Sequence, residues 1–206
     1  EELEGHRKML TDLLMSDQPT PEAGDRREVA LGDNELLALS RRYDATGVPL
    51  RTGAAPLARG IDDSSKVIDV DHQACILCDR CIRACNDVQN NEVLGRSGKG
   101  HASRIAFDLD QPMGESTCVS CGECAAACPT GALVDKAIGL PLRPRAELEP
   151  VDSVCPYCGV GCAITYHVDR EVNGIVFAEG RESPGNQGRL CVKGRYGWDY
   201  TVHPQR

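Results

Sequence analysis

Four thiols fall within eleven residues of the stretch ACILCDRCIRACNDV, at Cys75, Cys78, Cys81 and Cys85. The same spacing returns in TCVSCGECAAACPTGAL, at Cys118, Cys121, Cys124 and Cys128, forty-three residues further on. Both copies read C-x2-C-x2-C-x3-C. Three thiolates at three-residue intervals in a wrapping loop reach three corners of one iron–sulfur cube, while a fourth on a helix pointing away serves the other cube. The spacing therefore predicts two [4Fe–4S] clusters with crossed ligation. One takes Cys75, Cys78, Cys81 and Cys128; the other takes Cys118, Cys121, Cys124 and Cys85. Structural zinc is the alternative, but it favours two C-x2-C knuckles separated by a longer loop. Cys128 is followed by Pro129, whereas Cys85 is followed by Asn86. The proline is not a ligand, so both cysteines are expected to bind.

A third set has a different rhythm. Cys155, Cys158 and Cys162 follow C-x2-C-x3-C, and Cys191 comes twenty-nine residues later. Three local ligands and one distant one suit a single [4Fe–4S] cluster held by a small sheet, which makes three clusters in all. The segments AITYHVD and EVNGIVFAE alternate as its strands, with a turn at Asp169 and Arg170. An all-thiolate zinc site stays open as the alternative here. Backbone amides near Gly122, Gly159 and Gly161 are expected donors to the sulfurs.

The rest of the chain must position these groups with few apolar resources. Aromatic residues make up only 4% of the 206 residues, too few for one large core, so bound clusters are expected to supply cohesion. Nothing reads as a signal peptide, and no apolar run reaches membrane-spanning length. The thiols are thus expected to be metal ligands in the cytoplasm, not disulfides. A net charge of -8 speaks against nucleic acid and against a polybasic membrane patch. The five histidines are scattered without a partner motif. The fold class is α+β. Residues 1–66 carry no cysteine and predict two helices: GHRKMLTDLLM, with Met9, Leu10, Leu13 and Leu14 on one face, and DNELLALSRR, with Asp33 as N-cap. Residues 67–138 hold the paired motifs, with a hairpin near 92–96 and 103–109 between them. Residues 139–150 contain three prolines and read as a linker or strap, and 151–206 hold the last four cysteines.

Residues 68–138 resemble the bacterial two-cluster ferredoxin module. CPYCGVGC followed by GRLCVKGRYG resembles the N-terminal iron–sulfur segment of the molybdopterin oxidoreductases, formate dehydrogenases especially. That resemblance gives Lys193, two places after Cys191, a role between the cluster and a pterin cofactor. The order of modules resembles the catalytic subunit of cytosolic, NAD-linked, molybdenum- or tungsten-dependent formate dehydrogenases. It implies molybdopterin guanine dinucleotide with Mo or W in pterin-binding domains beyond this segment, and an FMN/NAD-binding diaphorase-type partner subunit with its own iron–sulfur clusters. This segment would then move electrons without itself oxidising formate. GHRKMLTDLLMSDQP resembles the start of a one-histidine, three-cysteine cluster domain found in such dehydrogenases, in complex I and in iron hydrogenases. Gln18 stands where that histidine would be and no cysteine precedes Cys75, so a remnant without its ligands is expected. Two alternatives are an electron-transfer subunit of a hydrogenase or complex I-like assembly, and a zinc-stapled structural module.

Overall fold

The computed structural model describes residues 2–18, 26–45 and 58–205. Three helices open the chain: α1 (Glu2–Met15), α2 (Arg26–Leu31) and α3 (Glu35–Tyr43). α3 is capped by Asn34, whose side chain accepts the Leu37 N–H at 2.9 Å, and not by Asp33 as the sequence predicts. Asp33 is instead drawn to Arg27 at 2.9 Å and Arg145 at 2.5 Å, a tertiary demand that outweighs a local cap. α2 was not anticipated, because six residues carry no readable period. It is anchored by Arg27, which is buried and donates to the Ala125 carbonyl at 2.7 Å. On α1 the apolar face of Met9, Leu10, Leu13 and Leu14 stays exposed. The helix is held to α3 by its other side, through buried Thr11 and through Lys8, which donates to the Tyr43 carbonyl at 3.3 Å.

The middle of the chain runs β1 (Ile61–Asp62), β2 (Ile68–Asp71), α4 (Arg80–Arg83), β3 (Leu94–Ser97), β4 (Arg104–Phe107), α5 (Glu123–Ala127) and β5 (Leu133–Asp135). β1, β2 and β5 form an antiparallel sheet in that order, so the start and end of the cysteine-rich segment are paired. β3 and β4 form the expected hairpin, with Leu94 opposite Phe107. The core of this part joins Ile68, Val70, Ile105, Phe107, Met113 and Leu133 to Cys81, Cys85, Cys124 and Cys128. Thiols thus occupy places that a larger domain would fill with leucine or phenylalanine.

The last part is an antiparallel sheet of β6 (Glu149–Val154), β7 (Ala163–Asp169) and β8 (Gly174–Gly180), followed by α6 (Val192–Tyr196). Asn173 takes a left-handed φ of 50° in the turn between β7 and β8. Ile138, Leu140 and Leu142, from the proline-containing connection, lie against a core of Leu31, Leu148, Ile164, Val176, Phe177, Leu190 and Trp198. That connection is therefore a strap with its own anchors, and β6 already begins at Glu149. Phe177 is stacked on His167 at 4.1 Å and covered by Arg145 at 5.3 Å. Glu179 pairs with both, lying 2.8 Å from His167 Nε2.

Burial alone would push the Glu179 carboxyl up, but hydrogen bonds from His167 and Arg145 outweigh it and hold the group at about 2. A carboxylate depressed on folding adds stability above its unfolded value, and that stability fades as pH falls towards the folded value. Glu179→Gln is expected to cost about 1–2 kcal/mol at pH 7, after allowance for the partly exposed side chain. The gap to wild type should narrow as pH is lowered from about 4.5 towards 3. Denaturant unfolding of both proteins across that range checks it; a gap constant down to pH 3 would contradict the depressed carboxyl. Among the described residues, no helix is long and apolar enough to cross a membrane.

Candidate iron–sulfur sites

The two cysteine loops adopt one backbone conformation twice. Leu77 (φ 54°) and Ser120 (φ 55°) occupy equivalent left-handed positions, and so do Asp79 (φ 61°) and Gly122 (φ 79°). The kink turns the N–H of residue two back onto the first sulfur. Leu77 donates to Cys75 Sγ at 3.4 Å, and Ser120 donates to Cys118 Sγ at 3.4 Å. α4 and α5 start directly after Asp79 and Gly122 and carry Cys81 and Cys124 inward. Donors to sulfur were expected near Gly122, Gly159 and Gly161; beside Gly122 they are the amides of Ser120, to Cys118, and Glu123, to Cys121, while Gly122 and Gly161 themselves do other work. Gly122 is the left-handed N-cap of α5, and the Gly161 N–H donates to the Cys158 carbonyl at 3.4 Å.

The fold then brings together thiols that are distant in sequence. Cys75, Cys78, Cys81 and Cys128 line one small cavity, with Ile105, Pro129 and Leu133 among its walls. Cys85, Cys118, Cys121 and Cys124 line a second, with Phe107 and Met113. Two side chains hold this crossing in place. The Thr130 hydroxyl, two residues past Cys128, donates to the Ala74 carbonyl at 2.8 Å, beside Cys75. Asn91 donates its backbone N–H to the Cys85 carbonyl at 3.0 Å, and its side-chain amide reaches Cys121 Sγ at 3.9 Å. Neither residue stood out in the sequence, since each acts through a partner far along the chain.

The donor sets fit a polynuclear group. A single zinc would gather four sulfurs at about 2.3 Å from one point. Here the four thiols of each set are spread round a cavity. Burial pushes the Cys81 thiol up to about 12, and neighbouring Cys128, Cys75 and Cys78 add to the effect. Burial likewise pushes Cys124 well above its ordinary value. Metal ligation is one chemistry that would deprotonate such thiols.

The third set lies at the surface. Cys155 is buried, Cys162 is half-buried, and Cys158 and Cys191 are exposed. The Cys155 N–H donates to the Cys162 carbonyl at 2.9 Å, closing the loop of the first three. Burial raises the Cys162 thiol, and Cys155, Cys158 and Cys191 are the neighbours that raise it further. Cys191 is the N-cap of α6, and Lys193 projects, exposed, from the first turn of that helix. Tyr157, Val160 and Val192 are exposed around this site.

Family comparison finds two iron–sulfur domains along the chain. Residues 74–132 match the 4Fe-4S dicluster domain, and residues 148–203 match the molybdopterin oxidoreductase Fe4S4 domain. The chain thus carries two iron–sulfur domains in tandem, the second similar to that of the molybdopterin oxidoreductases. It is 32% identical to the "Probable oxidoreductase YjgC" of Bacillus subtilis, covering 70% of this chain. It is 31% identical to the "Putative formate dehydrogenase SH0748" of Staphylococcus haemolyticus, covering 66%. The chain spans only 18% of the length of either relative. Among solved structures it is similar to a chain of an NAD+-reducing [NiFe]-hydrogenase in its H2-reduced state. That match has 29% identity and a TM-score of 0.56, covering 68% of this chain and 61% of the other.

Proposed function

We propose that this chain is the iron–sulfur relay of an NAD-dependent formate dehydrogenase. In this reading it carries electrons singly from a pterin-bound molybdenum or tungsten centre towards a flavin- and NAD-binding partner subunit in the cytoplasm. The observation that carries the proposal is the pair of cavities, each lined by four thiols drawn from both copies of the motif. Cys75, Cys78, Cys81 and Cys128 would hold one [4Fe–4S] cluster, and Cys85, Cys118, Cys121 and Cys124 a second. Cys155, Cys158, Cys162 and Cys191 would hold a third. When bound, such a cluster accepts and releases one electron at a time, at a potential set by burial, net charge and hydrogen bonds to sulfur.

The chain's own residues supply the surroundings. Ile105, Phe107, Met113 and Leu133 keep water from the first two sites, and the amides of Leu77 and Ser120 stabilise charge on the outer sulfurs. The third site is open, and in this reading the pterin-binding domains cover it, with Lys193 contacting the cofactor. α6 touches the Cys121 loop directly, which favours the Cys85, Cys118, Cys121 and Cys124 site as the neighbour of the third. The hydrogenase likeness favours a second reading, an electron-transfer subunit of a hydrogenase or complex I-like assembly. That reading leaves the match of residues 148–203 without a purpose.

Iron and acid-labile sulfide on anaerobically prepared protein test the proposal. About twelve irons per chain are expected, with magnetic coupling between the two ferredoxin-type centres in the EPR of the reduced protein. Zinc in place of iron would overturn it.

A further inference from the structure

Resting on the relay reading above, we propose that Arg195 is the positioning residue between the C-terminal cluster site and the ferredoxin-type pair. Its guanidinium is the fixed cation that favours an electron on the Cys85, Cys118, Cys121 and Cys124 site.

The side chain is 5% exposed and bridges two segments that carry candidate ligands. Its backbone N–H donates to the Cys191 carbonyl at 3.1 Å, and its Nε–H donates to the Cys121 carbonyl at 2.8 Å. One residue therefore spans the interval between a ligand of the third site and a ligand of the second. Nη2 pairs with buried Glu123, which lies between Cys121 and Cys124. The same Glu123 oxygen accepts the Leu190 N–H at 3.2 Å, next to Cys191. Gly122 completes the seat, since a Cβ there would lie 2.1 Å from Arg195 Cδ. Around it, the Trp198 indole donates to the Arg195 carbonyl at 2.8 Å and the Tyr196 hydroxyl donates to Asp135 at 2.5 Å.

A purely structural ion pair would need only the carboxylate. Here the Nε–H is directed instead at the peptide of a candidate ligand, where a positive charge opposes the extra negative charge of a reduced centre. Glu123 offsets part of that charge, so the two residues should act on the potential with opposite signs. A positioning role and a tuning role thus share one geometry.

The test is a potentiometric titration followed by EPR on cluster-loaded wild type and three variants. Arg195→Met keeps the volume and removes the cation. It should make the site harder to reduce by about tenfold in the one-electron equilibrium, about 59 mV lower. Arg195→Lys keeps the cation and loses the Nε–H; it should hold the potential near wild type while weakening the magnetic interaction with the third centre. Glu123→Gln should move the potential upward. Wild-type potentials and coupling in an Arg195→Met protein with its full iron complement would overturn the proposal. Should that variant fail to retain iron, Arg195→Lys and Glu123→Gln decide: unshifted potential in the latter and unchanged coupling in the former overturn it equally. Wild-type protein without clusters would sink the relay reading itself, and that outcome is visible before any variant is made.

Discussion

Replacing Cys85 and Cys118 together by alanine is expected to destroy one ferredoxin-type cluster and leave the other untouched. Iron should fall from about twelve to about eight per chain, and the EPR of the surviving centre should lose its coupling without changing its own signal. Replacing Cys75 and Cys118 together is expected to damage both. The two pairs look alike on paper, since each removes two thiols. They differ only because Cys85 lines the cavity of the second motif and Cys75 lines the other. Uncrossed ligation changes the first outcome only: Cys85 with Cys118 would then damage both clusters, as Cys75 with Cys118 does under either scheme. The loss should also be large in stability, because Cys81, Cys85, Cys124 and Cys128 are part of the core and not appended to it. Removing a bound group that ties residues this far apart leaves a small domain with little else to close it.

The second large effect concerns a residue with no side chain. Gly122→Ala is expected to cost about 2–4 kcal/mol, from a left-handed backbone and from overlap with a packed arginine. Gly122 has φ 79°, and an added Cβ would lie 2.1 Å from Arg195 Cδ and 2.4 Å from the Tyr196 hydroxyl. Gly100 separates the two causes. It also has positive φ, at 59°, but open space surrounds the position of its Cβ. Gly100→Ala should therefore cost only the conformational part, about 1 kcal/mol. Thermal unfolding of the two variants under anaerobic conditions measures the difference. Equal shifts would mean that the contact of Gly122 with α6 contributes nothing.

Much of the candidate site is legible in the sequence because its information is local. Three-residue spacing fixes which thiols share a loop, and the forty-three-residue offset makes the second loop a copy of the first. The hairpin and β7 were also readable, since alternation over four to seven residues carries its own period. β6 was missed, and the turn expected at Asp169 and Arg170 falls at residues 170–173, so β8 starts at Gly174 and not at Glu171. The misses have a common cause. Asp33 was expected to cap α3, yet Arg27 and Arg145 claim it across the fold. α1 has an apolar face in its sequence, and the structure packs the opposite side onto α3. The amides of Ser120 and Glu123 reach sulfur beside Gly122, as expected, but that of Leu77 in the first loop was not anticipated, since nothing in its residue type announces it.

The sequence by itself determined the kind of chemistry: thiol number, spacing and repetition specify iron–sulfur loops, because the ligand geometry of a small cube is satisfied within a few residues. The crossed grouping of thiols was already legible in the spacing; only the tertiary structure decided how Thr130 and Asn91 support it, and that Arg195 joins Cys191 to Cys121. Those contacts link residues as far as seventy-four positions apart. No local period encodes them, and they arise only when two cores and their buried charges pack together.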